Sequence, residues 1–315
     1  MQSPKRHPLL IGVGASTMEA DAALRTIVRC DNGEGYREIL TRMAKESGIE
    51  TPTAEDLIRL DRARKGKKLS NTDWESRTDP DTKIAKMKDG RPHLAYKPEH
   101  AMDPDTGAAV AAEVHAADQG DTSTMLGTLA SAAEHLATVD AAPTPEAPAE
   151  LIAGKGYHSR GTLKTLDDGP WKTRISEPHR NGFSRWHGDD TTRRAVYSNR
   201  ARLLSGVARA AFELRAERVE RGFALVPDRG GIRRAWLRGR ENVRKRYLIH
   251  AAGYNLGLIM RLLAGAGTPR ELQTRAAARL CVVITPNDDL TMLFVVAIGD
   301  QAAVLIVTLQ SDPFR

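Results

Sequence analysis

Apolar residues recur at three-, four- and seven-residue spacings in the last third of the chain, whereas upstream they fall in short runs bounded by turn formers. Ala208, Phe212, Val219 and Phe223 share one helical face, and a second helix with an apolar stripe closes at Leu263. Pro8–Ser16 (PLLIGVGAS), Glu150–Gly154 and Lys172–Glu177 predict short strands. His93–Pro98 and Ala108–His115 predict two more, joined through the turn sequence DPDTG at 103–107. From Met18 to about Lys88 the pattern turns helical. Tyr36, Ile39, Leu40 and Met43 form one stripe, and Thr53 caps a helix through Leu57 and Leu60. Asp121-Thr122 and Ser159 cap further helices, a long helical region starts near Thr192, and Thr268–Glu271 reads as a capping box. Arg62–Lys68 reads as a basic loop, Asn71–Lys83 as polar and flexible, Arg180–Asp190 as loop, and 140–149 as a linker loop. Strand, long insertion, hairpin, helix, strand, helix, strand, long helix is the order of an α/β protein, a mixed sheet with helices on its faces.

Composition narrows the class. A chain of 315 residues with 41% hydrophobic content buries a full core. Its net charge of +7 and pI near 9.5 point to an acidic polymer as partner, nucleic acid before membrane. Cys30 and Cys281 stand far apart, which excludes a disulfide framework or zinc knuckle and fits a cytoplasmic compartment. The apolar stretch Leu290–Leu309 is interrupted by Asp300 and Gln301, so it predicts a hairpin and not a membrane span. Gly12 and Gly14 lack the third glycine of a dinucleotide loop.

Two features carry candidate chemistry. Glu217 has Arg221 one turn on, but Glu220 has no cation at helical spacing and lies beside the apolar stripe, where an acid is either tied by a distant partner or used. Residues 228–246 then form the densest cationic run, with Arg229, Arg233, Arg234, Arg238, Arg240, Arg244, Lys245 and Arg246. Such a run attracts phosphate by counterion release. Trp236 and Tyr247, interleaved with it, are rings able to stack against nucleic acid.

The segments IGVGASTMEADAALRTIVR, HLAYKPEHAMD, ADQGDT, LIAGKGYHS, ERVERGFA and GGIRRAWLRGRENVRKRYLIHAAGYNLGL occur in order between about Ile11 and Arg270. Together they closely resemble bacterial insertion-sequence transposases of the DDE type. The resemblance implies an RNase H-like mixed sheet over residues 1–263, with a helical, basic insertion at 18–90 after the first strand and an unassigned tail at 264–315. It further implies double-stranded DNA as partner, a nucleoid-associated protein, a homodimer, and two Mg2+ ions held by three acids. In the family one acid ends the first strand, one sits in the A-x-K-G-Y-H-S turn, and the V-E-R helix carries the third. Here those positions hold Gly14, Gly154 and Glu220. With Glu220 alone left as metal ligand, the expectation is a catalytically impaired copy, or a non-catalytic DNA-binding remnant. Asp21, Asp103 and Asp121 are the candidate substitutes, with turn-forming and capping roles the better expectation for Asp103 and Asp121. Family members usually carry a helical DNA-recognition region upstream of the first strand. Gly14 and Gly154 should face Glu220 from the ends of neighbouring strands.

Overall fold

The computed structural model describes residues 9–65, 69–179 and 186–267, and the backbone of two strands at 290–298 and 301–309. In chain order the elements are β1 (Leu10–Ala15), β2 (Met18–Glu19), β3 (Ile27–Arg29), α1 (Tyr36–Glu46), α2 (Ala54–Ala63), β4 (Trp74–Ser76), β5 (Lys83–Lys86), β6 (Pro92–Met102) and β7 (Ala109–Ala116). Then come α3 (Asp121–Ala137), β8 (Ala149–Ala153), α4 (Arg160–Asp167), β9 (Trp171–Ile175), α5 (Asp190–Leu203), α6 (Gly206–Phe223), α7 (Arg240–Leu263), β10 (Leu290–Ile298) and β11 (Gln301–Leu309). The chain divides into two compact units, Met1–Ala252 and Gly253–Arg315. In the second, β10 and β11 form an antiparallel hairpin from Leu290↔Leu309 to Ile298↔Gln301.

A seven-stranded mixed sheet organises the first unit. The eleven-residue β6 is its hub. One edge of β6 pairs antiparallel with β1, and β2 continues that ladder in unbroken register from Ala15↔Glu99 to Met18↔Tyr96. The other edge takes β7 and β5. On its far side β1 runs parallel to β8, and β8 parallel to β9. Parallel neighbours need crossovers, which α3 and α4 supply.

Alternation along β1 sorts the two faces. Ile11 and Val13 point into the main core with Met125, Leu129, Leu151 and Leu163 under α3, α4 and α5. Gly12 and Gly14 point the opposite way, against Arg215 and Val219 of α6. The outer edge of β9 is sealed by α5: Asn199 bonds both Ile175 N and O at 2.9 Å, and Arg202 donates to Thr173 O at 2.7 Å.

The insertion departs from the expected wholly helical pattern. Its helices are α1 and α2, whose Tyr36, Leu40, Ala44, Leu57 and Leu60 form a small core of their own, with Thr53 capping α2 as expected. On either side the chain is extended, because β2 and β5 join the main sheet and β3 pairs with β4. Asn71–Lys83 is not a flexible polar loop. Trp74, Ser76, Asp79 and Thr82 are buried there, and Asp79 accepts from Tyr96 Oη at 2.6 Å and from the backbone of Gly239 at 3.1 Å. Polar side chains made this segment look solvated, yet they are buried with their hydrogen bonds satisfied. The Thr268–Glu271 box, residues 66–68 of the basic loop, 180–185 of the later one and the side chain of Arg229 lie outside the described residues.

Candidate functional site

Val13 pairs with Ala153 in the parallel β1–β8 ladder, so Gly14 and Gly154 follow as neighbours at the C-terminal strand ends. Helix α6 crosses directly over them. A carbon added at Gly14 would lie 2.6 Å from Val219 Cγ1 and 3.3 Å from Phe223, so the helix rests on bare backbone. Arg215 Nη2 stands 3.5 Å from that same point and 3.7 Å from the equivalent point at Gly154. One guanidinium therefore occupies the space between the two strand ends.

Arg215 is a residue that sequence spacing did not single out. Its Nε and Nη2 donate to Val13 O at 3.1 and 2.8 Å, which anchors α6 to β1. Burial pulls this guanidinium below its ordinary value, opposed by nearby Tyr157 and Glu220. Arginines are frequent along this helix, and spacing alone does not set Arg215 apart from them.

Glu220 is exposed, one residue beyond the buried Val219, and reaches solvent. Its side chain makes no hydrogen bond or ion pair among the described residues, while Glu217 pairs with Arg221 at 3.0 Å as the spacing predicts. Glu220 lines a cleft of about 400 Å³ with Glu19, Lys88, Asp89, Arg233 and Arg234. Beside it lies a second cleft that Glu220 shares with Lys86, Lys97 and Asp121.

Each of the candidate substitute acids has a partner of its own, although Asp121 lines the second cleft with Glu220. Asp21 lies on no helix and pairs with Arg238 at 3.3 Å. Asp103 forms its turn, accepting from Asp105 N at 2.9 Å and Thr106 Oγ1 at 2.7 Å. Asp121 opens α3 and binds Lys97 Nζ at 2.7 Å, with Gly120 taking the capping position expected of Asp121. Behind that pair sits a buried polar cluster. Glu99 accepts from Thr124, Thr128 and Tyr157 at 2.9, 2.5 and 2.8 Å. Burial pushes Glu99 up, but the hydrogen bonds from His115, Thr128 and Tyr157 and the charge of Lys97 hold it below the ordinary carboxylate range.

The basic run is distributed over several surroundings. Arg233 and Arg234 flank β2, where Glu19 N donates to Arg233 O and Ala235 N to Glu19 O, and so they border the Glu220 cleft. Arg244 is taken up by Glu113 at 2.8 Å, and Lys245 by Glu241 at 3.9 Å. Arg240 is exposed, its backbone bonded to Asp81, and Arg246 lies along the small apolar recess beneath Trp236 and Leu237. Trp236 is 69% exposed. Tyr247 is not available for stacking: it is buried, and its hydroxyl is hydrogen-bonded to His100 Nε2 at 2.5 Å. Helical phase decides this, since Val243, Tyr247 and Ala251 repeat every fourth position on the inward face of α7.

Two Mg2+ ions do not fit these residues. The strand ends offer no carboxylate, an arginine cation lies between them, and no group of three His, Cys, Asp or Glu suited to a metal occurs among the described residues. Nor does any helix among them have the length and apolarity to cross a membrane. Comparisons with family models, with curated proteins and with solved structures return no match.

Proposed function

We propose that this chain is a DNA-binding protein of DDE-transposase descent that holds duplex DNA without cutting it. The observation that carries this reading is the Arg215 guanidinium lodged between Gly14 and Gly154, with Glu220 alone nearby. The descent is supported by the strand arrangement, in which β1 lies between an antiparallel and a parallel partner with β8 and β9 following in order, as an RNase H-like sheet requires. It is also supported by the glycine pair lying under the glutamate helix. Phosphodiester cleavage at such a centre needs concentrated divalent charge at the reacting oxygens. Arg215 supplies one diffuse charge instead, anchored on the Val13 carbonyl. What the site retains is a cleft bordered by Arg233, Arg234 and Lys88, suited to a phosphate backbone.

The test is fluorescence anisotropy with a labelled duplex, beside a nicking assay on supercoiled DNA with Mg2+. Binding should weaken steeply between about 50 and 200 mM salt, persist in EDTA, and lose roughly two from its log–log salt slope in Arg233→Ala/Arg234→Ala. Mg2+-dependent nicking that vanishes in Glu220→Gln would return the enzyme reading, and absence of duplex binding would leave a decayed element with no DNA role.

A further inference from the structure

Among the described residues, a concentration of positive charge without acidic partners lies away from Glu220, in the insertion. A cleft of about 880 Å³ opens between the turn Leu24–Thr26, α1 and the end of β4. Arg25, Arg37, Lys45 and Arg77 converge on it from these separate elements, and all four are exposed. Their side chains have no hydrogen bond or ion pair among the described residues. The other charges at the cleft are already engaged. Arg42 is bound by Glu34 and Glu46, both at 3.3 Å, and Glu38 accepts from Gly35 N at 2.9 Å. By contrast, the Glu220 cleft sets Lys88, Arg233 and Arg234 against Glu19, Asp89 and Glu220 itself.

We infer that this insertion cleft is a second contact surface for the backbone of duplex DNA, distinct from the one bordered by Arg233 and Arg234. This inference rests on the DNA-binding reading and extends it. Unpaired cations release counterions on meeting phosphate, whereas cations already paired with carboxylates have no such gain. Geometry favours a duplex. Arg37 and Lys45 are eight residues apart on α1, about 12 Å along the axis, close to the roughly 12 Å width of a major groove. Ile27, Val28 and Tyr36 line the cleft between these cations, and its two acids, Glu38 and Glu46, are outnumbered by Arg25, Arg37, Arg42, Lys45 and Arg77. These contacts position the duplex and carry no sequence information.

The experiment measures the salt dependence of duplex binding by the full chain in three forms: unaltered, Arg25→Gln/Arg37→Gln/Lys45→Gln/Arg77→Gln, and Arg233→Ala/Arg234→Ala. All six positions are exposed, and thermal unfolding of each form checks that the fold is kept. The quadruple variant should bind at least about tenfold more weakly near 100 mM salt and lose about three to four from its log–log slope. Unchanged affinity and slope in that variant, with binding by the unaltered chain intact, overturns the second surface and leaves DNA binding standing. Loss in the quadruple variant with no effect of Arg233→Ala/Arg234→Ala supports the insertion surface and removes DNA from the Glu220 cleft. If the unaltered chain does not bind duplex at all, both readings fall.

Discussion

A methyl group at Gly14 would sit 2.6 Å from Val219 Cγ1, while one at Gly154 would meet nothing nearer than Arg215 at 3.7 Å. The two glycines therefore differ in what they tolerate. Gly14→Ala should cost about 1–3 kcal/mol through overpacking, lowering the unfolding midpoint by about 2–4 °C per kcal/mol. Gly154→Ala should change it little, and Gly14→Ala combined with Val219→Ala should recover much of the loss. A Gly14→Ala protein as stable as the parent would mean that α6 is not seated on β1 as described. His100 gives a second prediction at this scale. Burial lowers it from 6.5 to about 3, opposed by the charge of Glu99, so it stays neutral in the fold. The unfolded chain takes up a proton below pH 6.5 and the folded chain does not. This group therefore withdraws about 1.4 kcal/mol of stability per pH unit between 6.5 and 3. Urea unfolding against pH should show that slope, flattened in His100→Gln. The placement of Gly14 and Gly154 at neighbouring strand ends was legible in sequence because motif order carries it. Arg215 and the inward turn of Tyr247 were not, since both depend on the phase of a helix against a partner that composition does not show.

Elements carried the clearest signal where a turn or cap punctuates them. The β6–β7 hairpin, the Thr53 and Ser159 caps, and the α6 stripe of Ala208, Val219 and Phe223 stand where the pattern put them. Strands of two to four residues, such as β2, β4 and β5, are too short for alternation to register, and they appear only once a partner exists to pair with, β6 for β2 and β5 and β3 for β4. Two polar side chains hold elements together in ways sequence conceals. Asn199 satisfies the free edge of β9, so Asn199→Ala should leave Ile175 N and O unpaired and cost about 1–3 kcal/mol. Hydrogen exchange should then speed up at Ile175 while the β1–β8 amides stay protected. Asp79 joins the insertion to the loop before α7, so Asp79→Ala should destabilise by a similar amount, read by urea unfolding, and weaken duplex binding by loosening the segment around Arg238 and Gly239. Loss of stability with unaltered DNA affinity would confine Asp79 to a packing role.

Across the whole chain, the +7 charge suits a polyanionic partner but does not say where one would sit. The members of the run at 228–246 adjoin in sequence, yet Arg238 and Arg244 face acids from elsewhere in the first unit, and Lys245 pairs with Glu241 of the same run. Arg25, Arg37, Lys45 and Arg77 are scattered through the sequence and converge only in the fold. Counting charges along a chain thus measures supply, while pairing decides what remains for a ligand. The seating of α6 on bare glycine backbone has a historical consequence too. If position 14 once bore an acid, its loss let Val219 settle against the strand. A lineage regaining that acid would first meet a steric penalty, and then an arginine that neutralises the restored carboxylate before any metal arrives. Reversal therefore requires changes at positions 14, 154, 215 and 219 together, none of them rewarded alone. On the proposed descent, such a protein would be free to drift toward any task that needs its charged surfaces, with little path back to cutting DNA.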